Sequence, residues 1–485
     1  MADEDAKAAE VRTESHDPDY PEAFLAFMRT GWRDDPLDVA RRPEADNHAQ
    51  RRAALSAAFP GETLIIPTGH EKVRANDTTY PFRPGSDFAY LTGDHDPGGV
   101  LVVRPDGDAV LYRRARTSRE SDEFFRSRDG ELWVGRRHSL EEKATELGVR
   151  TASRADLPGV LAGCAPARTR VLRGFDAEVD AGVAAYDAAD PGTRDRALAE
   201  VIAELKLVKD DWEIAQLQAA IDATVRGFED VARALPADRA VSERLLEGLF
   251  ALRARHDGND VGYGSIVGAG ANATTLHWVR NDGATRPGEL LLMDMGVEGH
   301  HLYTADVTRV LPVTGAFSPL QRQVYDIVYA SQQAGIDIIK PGVKFREVHQ
   351  TCMRVLAEGL SDLGVLPVSV DEAMSPESTV YRRWTLHGFG HMLGIDVHDC
   401  SRARKEKYRD GELGEGYVLT VEPGLYFQPD DDLVPAELRG IGVRIEDDVL
   451  VTSAGAQVLS AALPRQAADV ESWLAALRDE GLHLP

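Results

Sequence analysis

The sequence predicts two domains, a smaller α/β domain followed by a larger domain of the α+β class. Three observations favour this assignment. The chain has 485 residues, which is more than one hydrophobic core usually serves. Hydrophobic residues make up 43% and charged residues 28% of it, as is typical of a globular protein. Beyond about residue 200, strand-like runs mix with long helical patterns and lack the regular βαβα alternation of a doubly wound sheet.

The smaller domain is predicted to span residues 46–185. The preceding residues, 1–45, are expected to form an acidic extension with one helix, because they carry a single apolar run at 24–28. The polar stretch 186–200, which contains Pro and Gly, is the predicted linker. Within the domain, β-rich runs occur at 64–67, 87–93, 100–103 and 109–112, and a helical pattern follows at 139–148.

The larger domain is predicted to span residues 201–465, with a helical tail at 466–485. It begins with one or two amphipathic helices at 201–235, where Leu217 and Ile221 share a face at the 3.6-residue period. Two later helices are expected near 318–338 and 344–363. Strands are expected near 264–268, 290–296, 302–311, 418–421 and 443–451.

Charge and composition exclude several classes of partner. A net charge of −25 repels nucleic-acid backbones and anionic membranes, so neither is an expected partner. No run of 18 apolar residues is present, and the first residues lack the basic and apolar regions of a secretory signal. Three cysteines are too few for a disulfide framework or a zinc ribbon. A cytoplasmic protein is therefore expected.

Acidic residues at the ends of apolar strands mark the first part of a candidate site. Asp294 follows the apolar run LLLM, and Asp306 lies in the next predicted strand, after a turn that contains Gly. A carboxylate in such surroundings is costly unless a cation meets it. Either residue alone has the alternative of an ordinary strand-end turn aspartate. Two of them on paired strands favour a site.

Three histidines within twelve residues form the second part. His387 and His391 are four apart, but Gly388 stands where the zinc-helix motif His-Glu-x-x-His has Glu, and Gly390 weakens a helix. A loop that presents both rings is therefore expected. His398 follows seven residues later. Each histidine alone is more often a core or surface residue, whereas three together with interleaved glycines are typical of a site.

Two glutamates complete the set. Glu422 follows the apolar run VLTV and has no Lys or Arg near it in sequence. Glu446 lies in GVRIEDD, where a strand would place it beside Arg444, so a plain buried salt bridge is the alternative. Asp447 and Asp448 are expected to be solvated charges at the strand end.

The donor set favours hard divalent cations. Four carboxylates and one to three imidazoles, without a Cys ligand, suit Mn²⁺, Co²⁺ or Fe²⁺, with Zn²⁺ as a further alternative. Four negative charges balance two divalent ions. Two metal ions about 3.5–4 Å apart lower the pKa of a water molecule between them and stabilise a developing oxyanion. The expected reaction class is hydrolysis.

In this order, the motifs DMG…YTADVTR, HGFGHMLGIDVHD, TVEPGLY and GVRIEDD resemble those of the methionine-aminopeptidase/creatinase/prolidase superfamily, which has the pita-bread fold. Within it, the match is closest to aminopeptidase P, the Xaa-Pro aminopeptidase family. Residues 262–281 resemble that family's strand with a catalytic histidine, here His277. Residues 65–93 are similar to its creatinase-type N-terminal domain, so the resemblance covers about 45–460.

The resemblance implies a catalytic pita-bread domain at 201–465 that cleaves the N-terminal residue from peptides with proline second. It implies a homodimer or homotetramer. Two divalent ions, with Mn²⁺ as the first expectation, would be bound by Asp294, Asp306, His391, Glu422 and Glu446. Asp306 and Glu446 would bridge the ions, and Glu422 would act as general base and acid. The remaining implied catalytic or substrate-binding residues are His277, His387, His398, Tyr426 and Arg444.

The sequence departs from the family pattern at one point, and two alternatives stay open. Asp294 and Asp306 are twelve apart, where eleven is expected, and the extra residue is predicted in the turn 298–301, with His300 and His301 exposed. One alternative is prolidase, which takes only Xaa-Pro dipeptides and needs the same ligands. The other is a non-catalytic peptide-binding module, which the five competent ligand positions disfavour.

Overall fold

The smaller, N-terminal domain is built on a five-stranded mixed sheet. The computed structural model describes residues 20–76, 78–127, 129–183 and 191–482. The predicted extension before residue 20, the linker residues 186–190 and the tail residues 483–485 lie outside this part. The strands of the domain are β1 (Thr63–Pro67), β2 (Val73–Ala75), β3 (Thr78–Thr79), β4 (Val100–Val103), β5 (Ala109–Arg113), β6 (Arg150–Ser153) and β7 (Thr169–Val171).

The order of strands in this sheet is β6-β5-β4-β1-β7. β1 pairs antiparallel with β4 and parallel with β7, and β5 pairs parallel with β6. All four side chains of β4 are buried, because helices cover both faces of the sheet. The helices are α1 (Glu22–Met28), α2 (Ala45–Ala58), α3 (Ser86–Thr92), α4 (Asp122–Arg126), α5 (Glu131–Val134), α6 (Leu140–Leu147), α7 (Leu157–Gly163) and α8 (Ala177–Gly182).

One predicted element of this domain is wrong. The run 87–93 was expected to be β-rich because it contains Phe, Tyr and Thr, but it forms α3, which ends at Gly93 with a φ of 67°. Phe88 and Leu91 of this helix are both fully buried. Packing on the sheet therefore outweighs the strand propensity of the run.

The larger domain contains several short antiparallel sheets. β10 lies between β9 and β12, β16 lies between β13 and β17, and β14 pairs with β15. An isolated bridge from Thr308 to Glu446 connects the first group to the second. The strands are β8 (Asp260–Val261), β9 (Ile266–Ala269), β10 (Leu290–Met295), β11 (Val297–Glu298), β12 (Val307–Pro312), β13 (Val418–Val421), β14 (Gly424–Tyr426), β15 (Gly442–Arg444), β16 (Asp447–Thr452) and β17 (Gly455–Val458).

Long helices cover these sheets, and some of them begin at capping boxes. Asp210 and Glu213 make a capping box at the start of the helix Asp211–Ala234, and Ser318 and Gln321 make one at the start of the helix Pro319–Ile338. This mixture of helices and antiparallel strands is the predicted α+β arrangement. The helices are α9 (Pro191–Leu205), α10 (Asp211–Ala234), α11 (Glu243–Asp257), α12 (Pro319–Ile338), α13 (Phe345–Asp362), α14 (Val370–Met374) and α15 (Ala467–Glu480).

Part of the predicted linker is helical. Helix α9 occupies residues 191–205, and Leu198 and Ile202 on it are fully buried. Proline suits the first turn of a helix, because the backbone N–H that it lacks has no hydrogen-bond partner within the helix there. Pro191 therefore does not prevent this stretch from forming a helix. The domain boundaries themselves stay predictions. Among the described residues, no helix is both long and apolar enough to cross a bilayer.

Candidate metal centre

The hairpin of β10 and β12 brings Asp294 and Asp306 together. Asp294 lies in β10 opposite Thr308 of β12, and Asp306 immediately precedes β12. Both carboxylates are buried. The hydroxyl of Tyr263 lies 2.6 Å from Oδ1 of Asp294 and also within hydrogen-bonding distance of Oδ1 of Asp306. These contacts enclose the hydroxyl. Burial is the larger cause and the negative charges of Asp294 and Asp306 the next, and together they hold the pKa of Tyr263 well above its usual range.

Tyr263 was not predicted from the sequence. It lies between Gly262 and Gly264, ahead of β9, in a segment without any periodic pattern. The backbone there must approach the hairpin closely, since a Cβ on Gly262 would lie 2.2 Å from a methyl group of Thr304. A tyrosine flanked by two glycines just before a buried strand is the only signal in the sequence.

A loop and the end of β13 place His391 beside Glu422. The loop is bridged to β13 between Met392 and Leu419, as expected for a segment with too many glycines for a helix. Nε2 of His391 lies 3.3 Å from Oδ2 of Asp306 and 3.5 Å from Oε1 of Glu422. Burial opposes a charge on the ring, but the hydrogen bond to Asp306 and the charge of Glu422 raise the pKa of His391 to about 9.

Glu446 lies between β15 and β16, where the chain bends away from one strand and into the next. Its backbone N–H donates to the carbonyl of Thr308 at 3.1 Å, and its carboxylate accepts a hydrogen bond from the Thr308 hydroxyl at 2.6 Å. Asp306, His391 and Glu446 each have one potential ligand atom, and these atoms lie within 4.8 Å of one another. The predicted single strand 443–451 is therefore two strands, with a candidate ligand at the break.

Arg444 forms an ion pair with Asp294. Its guanidinium donates to Oδ2 of Asp294 at 2.6 Å, and the hydroxyl of Tyr426 lies 2.8 Å from another of its nitrogens. Among the described residues, Glu446 is not its ion-pair partner, so the alternative of a plain Arg444–Glu446 salt bridge is wrong. The strand ends after Arg444, and the two side chains are linked through Thr308: Nε of Arg444 donates to its hydroxyl at 3.1 Å, and the hydroxyl donates to Glu446 at 2.6 Å.

Asp447 and Asp448 are buried rather than solvated. They begin β16, the middle strand of its sheet, and have no exposed surface. Asp447 accepts hydrogen bonds from Arg309 at 2.7 Å and Ser460 at 2.6 Å. Asp448 accepts the backbone N–H of Asp306 at 3.2 Å, so it helps to fix the position of that residue.

The other histidines implied by the family resemblance line the same cavity, which has a volume of about 1210 Å³. Nε2 of His387 lies 2.8 Å from the hydroxyl of Tyr426, and burial followed by the charge of Arg444 lowers the pKa of His387 to about 3. The ring of His398 packs edge-on against that of His391 at 4.4 Å. His277 lies in a turn after the 3-10 helix Gly270–Thr274, so its expected place on a strand is wrong.

The turn between the two aspartates is only partly exposed. His300 is exposed as predicted, but His301 packs edge-on against Trp212 at 5.2 Å and lies 3.6 Å from Glu44. His301 therefore connects the hairpin to the N-terminal domain.

The donor set fits a divalent cation. Loss of solvation and the charges of neighbouring carboxylates raise the pKa values of Asp306 and Glu446, and the same causes raise that of Glu422 to about 7. Of the four candidate carboxylates, Asp294 is the one that forms an ion pair with an arginine within the described part of the chain, at 2.6 Å. The other carboxylates repel one another unless a proton or a metal ion lies between them.

Comparison with known proteins agrees with this geometry. Residues 215–453 match the model of metallopeptidase family M24, and residues 48–171 match that of the aminopeptidase P N-terminal domain. The chain is 52% identical over 465 residues to Xaa-Pro aminopeptidase 1 of Streptomyces coelicolor, covering 95% of this chain and 94% of that protein. It is 34% identical over 454 residues to the Xaa-Pro aminopeptidase of Escherichia coli, covering 89% and 98%.

Solved structures show the same relationship. Aminopeptidase PepP of Pseudomonas aeruginosa superimposes with a TM-score of 0.80 at 31% identity, covering 91% of this chain and all of that one (100%). Zinc-substituted aminopeptidase P of E. coli in complex with product gives a TM-score of 0.77 at 31% identity, covering 92% and 100%. The predicted fold class and family resemblance are thus confirmed, and divalent metal binding is part of the chemistry of this family. The chain belongs to metallopeptidase family M24, in its Xaa-Pro aminopeptidase group.

Proposed function

We propose that this protein is a Xaa-Pro aminopeptidase that removes the N-terminal residue from peptides whose second residue is proline. The observation that carries the proposal is the convergence of four carboxylates and one imidazole at one cavity, in a chain that matches such enzymes along 95% of its length. The proposed ligands of two divalent ions, Mn²⁺ in the first place, are Asp294, Asp306, His391, Glu422 and Glu446.

The arrangement of the carboxylates supports their proposed role as metal ligands. Asp306, His391 and Glu446 have potential ligand atoms within 4.8 Å of one another, so they would hold metal together. Asp294 and Glu422 line the same cavity and would complete the set of residues that hold the ions. Bound divalent ions would supply Lewis-acid chemistry: they acidify water and stabilise negative charge on a carbonyl oxygen.

Glu422 is the proposed general base and acid. It lies directly after β13, within 3.5 Å of both His391 and His387, and faces the cavity. A carboxylate in this position takes a proton from the attacking water and delivers it to the proline nitrogen as the peptide bond breaks. Such delivery matters here because the proline nitrogen has no hydrogen of its own in the substrate.

The histidines around Glu422 are proposed to act on the substrate. His277 and His398 line the cavity and are proposed to donate hydrogen bonds to the scissile carbonyl oxygen as it becomes negative. His387 is neutral in its enclosed position and is bonded to Tyr426, whose hydroxyl also binds Arg444. These contacts would orient the ring of His387, which lines the cavity and is proposed to contact the substrate together with Tyr426.

A panel of peptides tests the proposal. Purified protein loaded with Mn²⁺ should release the first residue from Xaa-Pro-Xaa tripeptides and leave tripeptides with Ala in second place intact. Cleavage of Xaa-Pro dipeptides alone would instead identify a prolidase, and metal-loaded protein that cleaves neither would point to a binding module. We further propose a cytoplasmic homodimer or homotetramer, which light scattering and cell fractionation can test.

A further inference from the structure

Five Arg and Lys side chains line the active-site cavity. Arg444 binds Asp294 at the metal centre, and we name the other four the cationic rim: Arg346, Arg382, Lys405 and Arg409. Arg346 lies in the first turn of α13, and Arg382 lies in the 3-10 helix Val380–Arg383. Lys405 and Arg409 follow in the segment 401–411. All four are exposed to solvent at the cavity surface.

Three of the four rim cations share neighbours with one another. Arg346 and Lys405 both form ion pairs with Asp410, the latter at 3.2 Å. Arg346 and Arg382 both lie close enough to His349 to lower its pKa, although burial is the larger cause of its value of about 4. Because His349 is uncharged at neutral pH, it adds nothing to the positive charge of the two arginines.

The rim carries excess positive charge in a chain whose net charge is −25. Asp410 is the one carboxylate paired with it among the described residues. Arg382 donates only to the carbonyl of Leu386, at 2.9 Å, and in the described part of the chain neither it nor Arg409 has a carboxylate within ion-pair distance. Cations left unpaired beside a cavity attract anionic groups that enter it.

An apolar floor accompanies these charges. The ring of Phe345 contacts that of Phe389 at 4.7 Å and that of Tyr408 at 5.3 Å, and all three line the cavity. Leu386, whose carbonyl accepts a hydrogen bond from Arg382, is 61% exposed. This wall of the cavity therefore offers a peptide both apolar contacts and positive charges. The negatively charged carboxylates lie at the metal centre instead.

We propose that the cationic rim binds a carboxylate of the peptide segment that follows the proline, so that the enzyme prefers peptides with an anionic group beyond the cleaved bond. This inference rests on the proposed function, because it assumes that the first residue and its amine lie at the metal ligands. The carboxylate is either an acidic side chain or the C-terminus of a short peptide.

Turnover of four peptides tests the preference. They are Ala-Pro-Ala-Ala-amide, Ala-Pro-Asp-Ala-amide, Ala-Pro-Lys-Ala-amide and Ala-Pro-Ala-Ala with a free C-terminus. At low salt, kcat/KM of an anionic peptide should exceed that of the neutral amide by about fivefold, since an exposed ion pair contributes up to about 1 kcal/mol. The Lys peptide should be poorest, and the differences should shrink with added salt. A preference for the Asp peptide identifies the side chain as the source, and one for the free acid identifies the C-terminus.

Variants assign the effect to the rim. Arg346→Ala and Arg382→Ala should each bring the ratio of kcat/KM between anionic and neutral peptides toward one. Arg354→Ala is the matched control, because Arg354 lies on the same helix α13, pairs with Asp371 at 3.1 Å and does not line the cavity. An unchanged ratio in both rim variants, or a ratio of one in the unmodified enzyme, would overturn the proposal.

Binding of the leaving segment separates this inference from the proposed function. Calorimetry with the Mn²⁺-loaded protein should show tighter binding of Pro-Asp-Ala-amide than of Pro-Ala-Ala-amide, and Arg382→Ala should remove the difference. If that difference appears while no Xaa-Pro peptide is cleaved, the rim is correct and the proposed function is wrong. If peptides are cleaved but the two segments bind equally, the rim is wrong and the function stands.

Discussion

The guanidinium of Arg444 binds one oxygen of the Asp294 carboxylate at 2.6 Å. The hydroxyl of Tyr263 holds the other oxygen at 2.6 Å. Both oxygens are therefore positioned by neighbours from separate elements, β15 and the segment before β9. Groups that orient a metal ligand in this way commonly change metal affinity or activity by about 10–100-fold when removed.

Tyr263→Phe should therefore weaken Mn²⁺ binding and lower kcat by about tenfold or more, while the melting temperature of the metal-free protein stays nearly constant because the ring remains. Metal titration against a competing chelator and steady-state kinetics measure both effects. Tyr329→Phe is the control, since Tyr329 does not line the active-site cavity. Equal metal affinity in Tyr263→Phe and the unmodified enzyme would contradict this role.

Glu422→Gln removes a ligand charge and the proposed base in one step. Its kcat should fall by at least about 10²–10⁴-fold, the usual contribution of general acid–base catalysis. His300→Ala should leave turnover unchanged, because His300 is exposed on the turn of the hairpin. Loss of activity in His300→Ala together with retained activity in Glu422→Gln would show that both assignments are wrong.

The histidines should separate into a ligand and helpers. His391→Ala should lose metal as well as rate, because the remaining carboxylates then repel one another without compensation. His398→Ala and His277→Ala should keep about two ions per chain and lose kcat, since their hydrogen bonds matter most when charge develops on the carbonyl oxygen.

Metal stoichiometry, melting temperature and kcat of the three variants measure this separation. Metal retained in His391→Ala, or lost in His398→Ala, would mean that the wrong imidazole had been chosen as the ligand. A lowered melting temperature with kcat intact in His398→Ala would identify that ring as a packing residue against His391.

Metal binding should stabilise the protein more as pH rises. Without metal, the pKa of Glu422 is raised to about 7 and that of His391 to about 9. A raised pKa gives stability that is complete below the unfolded-state pKa and is lost as pH rises through the folded-state pKa. Both groups therefore lower the free energy of unfolding of the metal-free protein progressively as pH rises from about 4.5 to about 9.

A bound divalent ion takes the place of these protons, so the difference in melting temperature between Mn²⁺-loaded and chelated protein should grow from pH 6 to pH 9. Calorimetry at fixed ionic strength measures it. A difference that is constant or shrinks over this range would show that the two groups do not compete with the metal.

Much of the fold could be predicted because its signals are local. The run LLLMDM is buried at every position in β10, and the caps of α10 and α12 mark helices whose apolar faces have a 3.6-residue period. The run at 87–93 misled because its aromatic residues suit a strand as well as a buried helix. Its outcome depends on packing against a sheet that is distant in sequence.

In the candidate site, too, local signals could be predicted and contacts between distant segments could not. The candidate ligands stand out because acidic residues and histidines are rare beside apolar runs. The residues that bind these acidic side chains do not stand out in the sequence. Asp294 binds Arg444, which is 150 residues away in sequence, and Asp447 binds Arg309, which is 138 residues away. The bridge from Thr308 to Glu446 and the hydrogen bonds of Asp447 and Asp448 with Arg309 and Asp306 bring these segments together, and no pattern within either segment encodes them.

The most direct test of the account is the activity of the protein without and with metal. Protein dialysed against chelator until its metal content is near zero should not cleave a Xaa-Pro-Xaa tripeptide, and addition of Mn²⁺ should restore cleavage as about two ions bind per chain. Full activity on the tripeptide in protein verified to be free of metal would contradict the account.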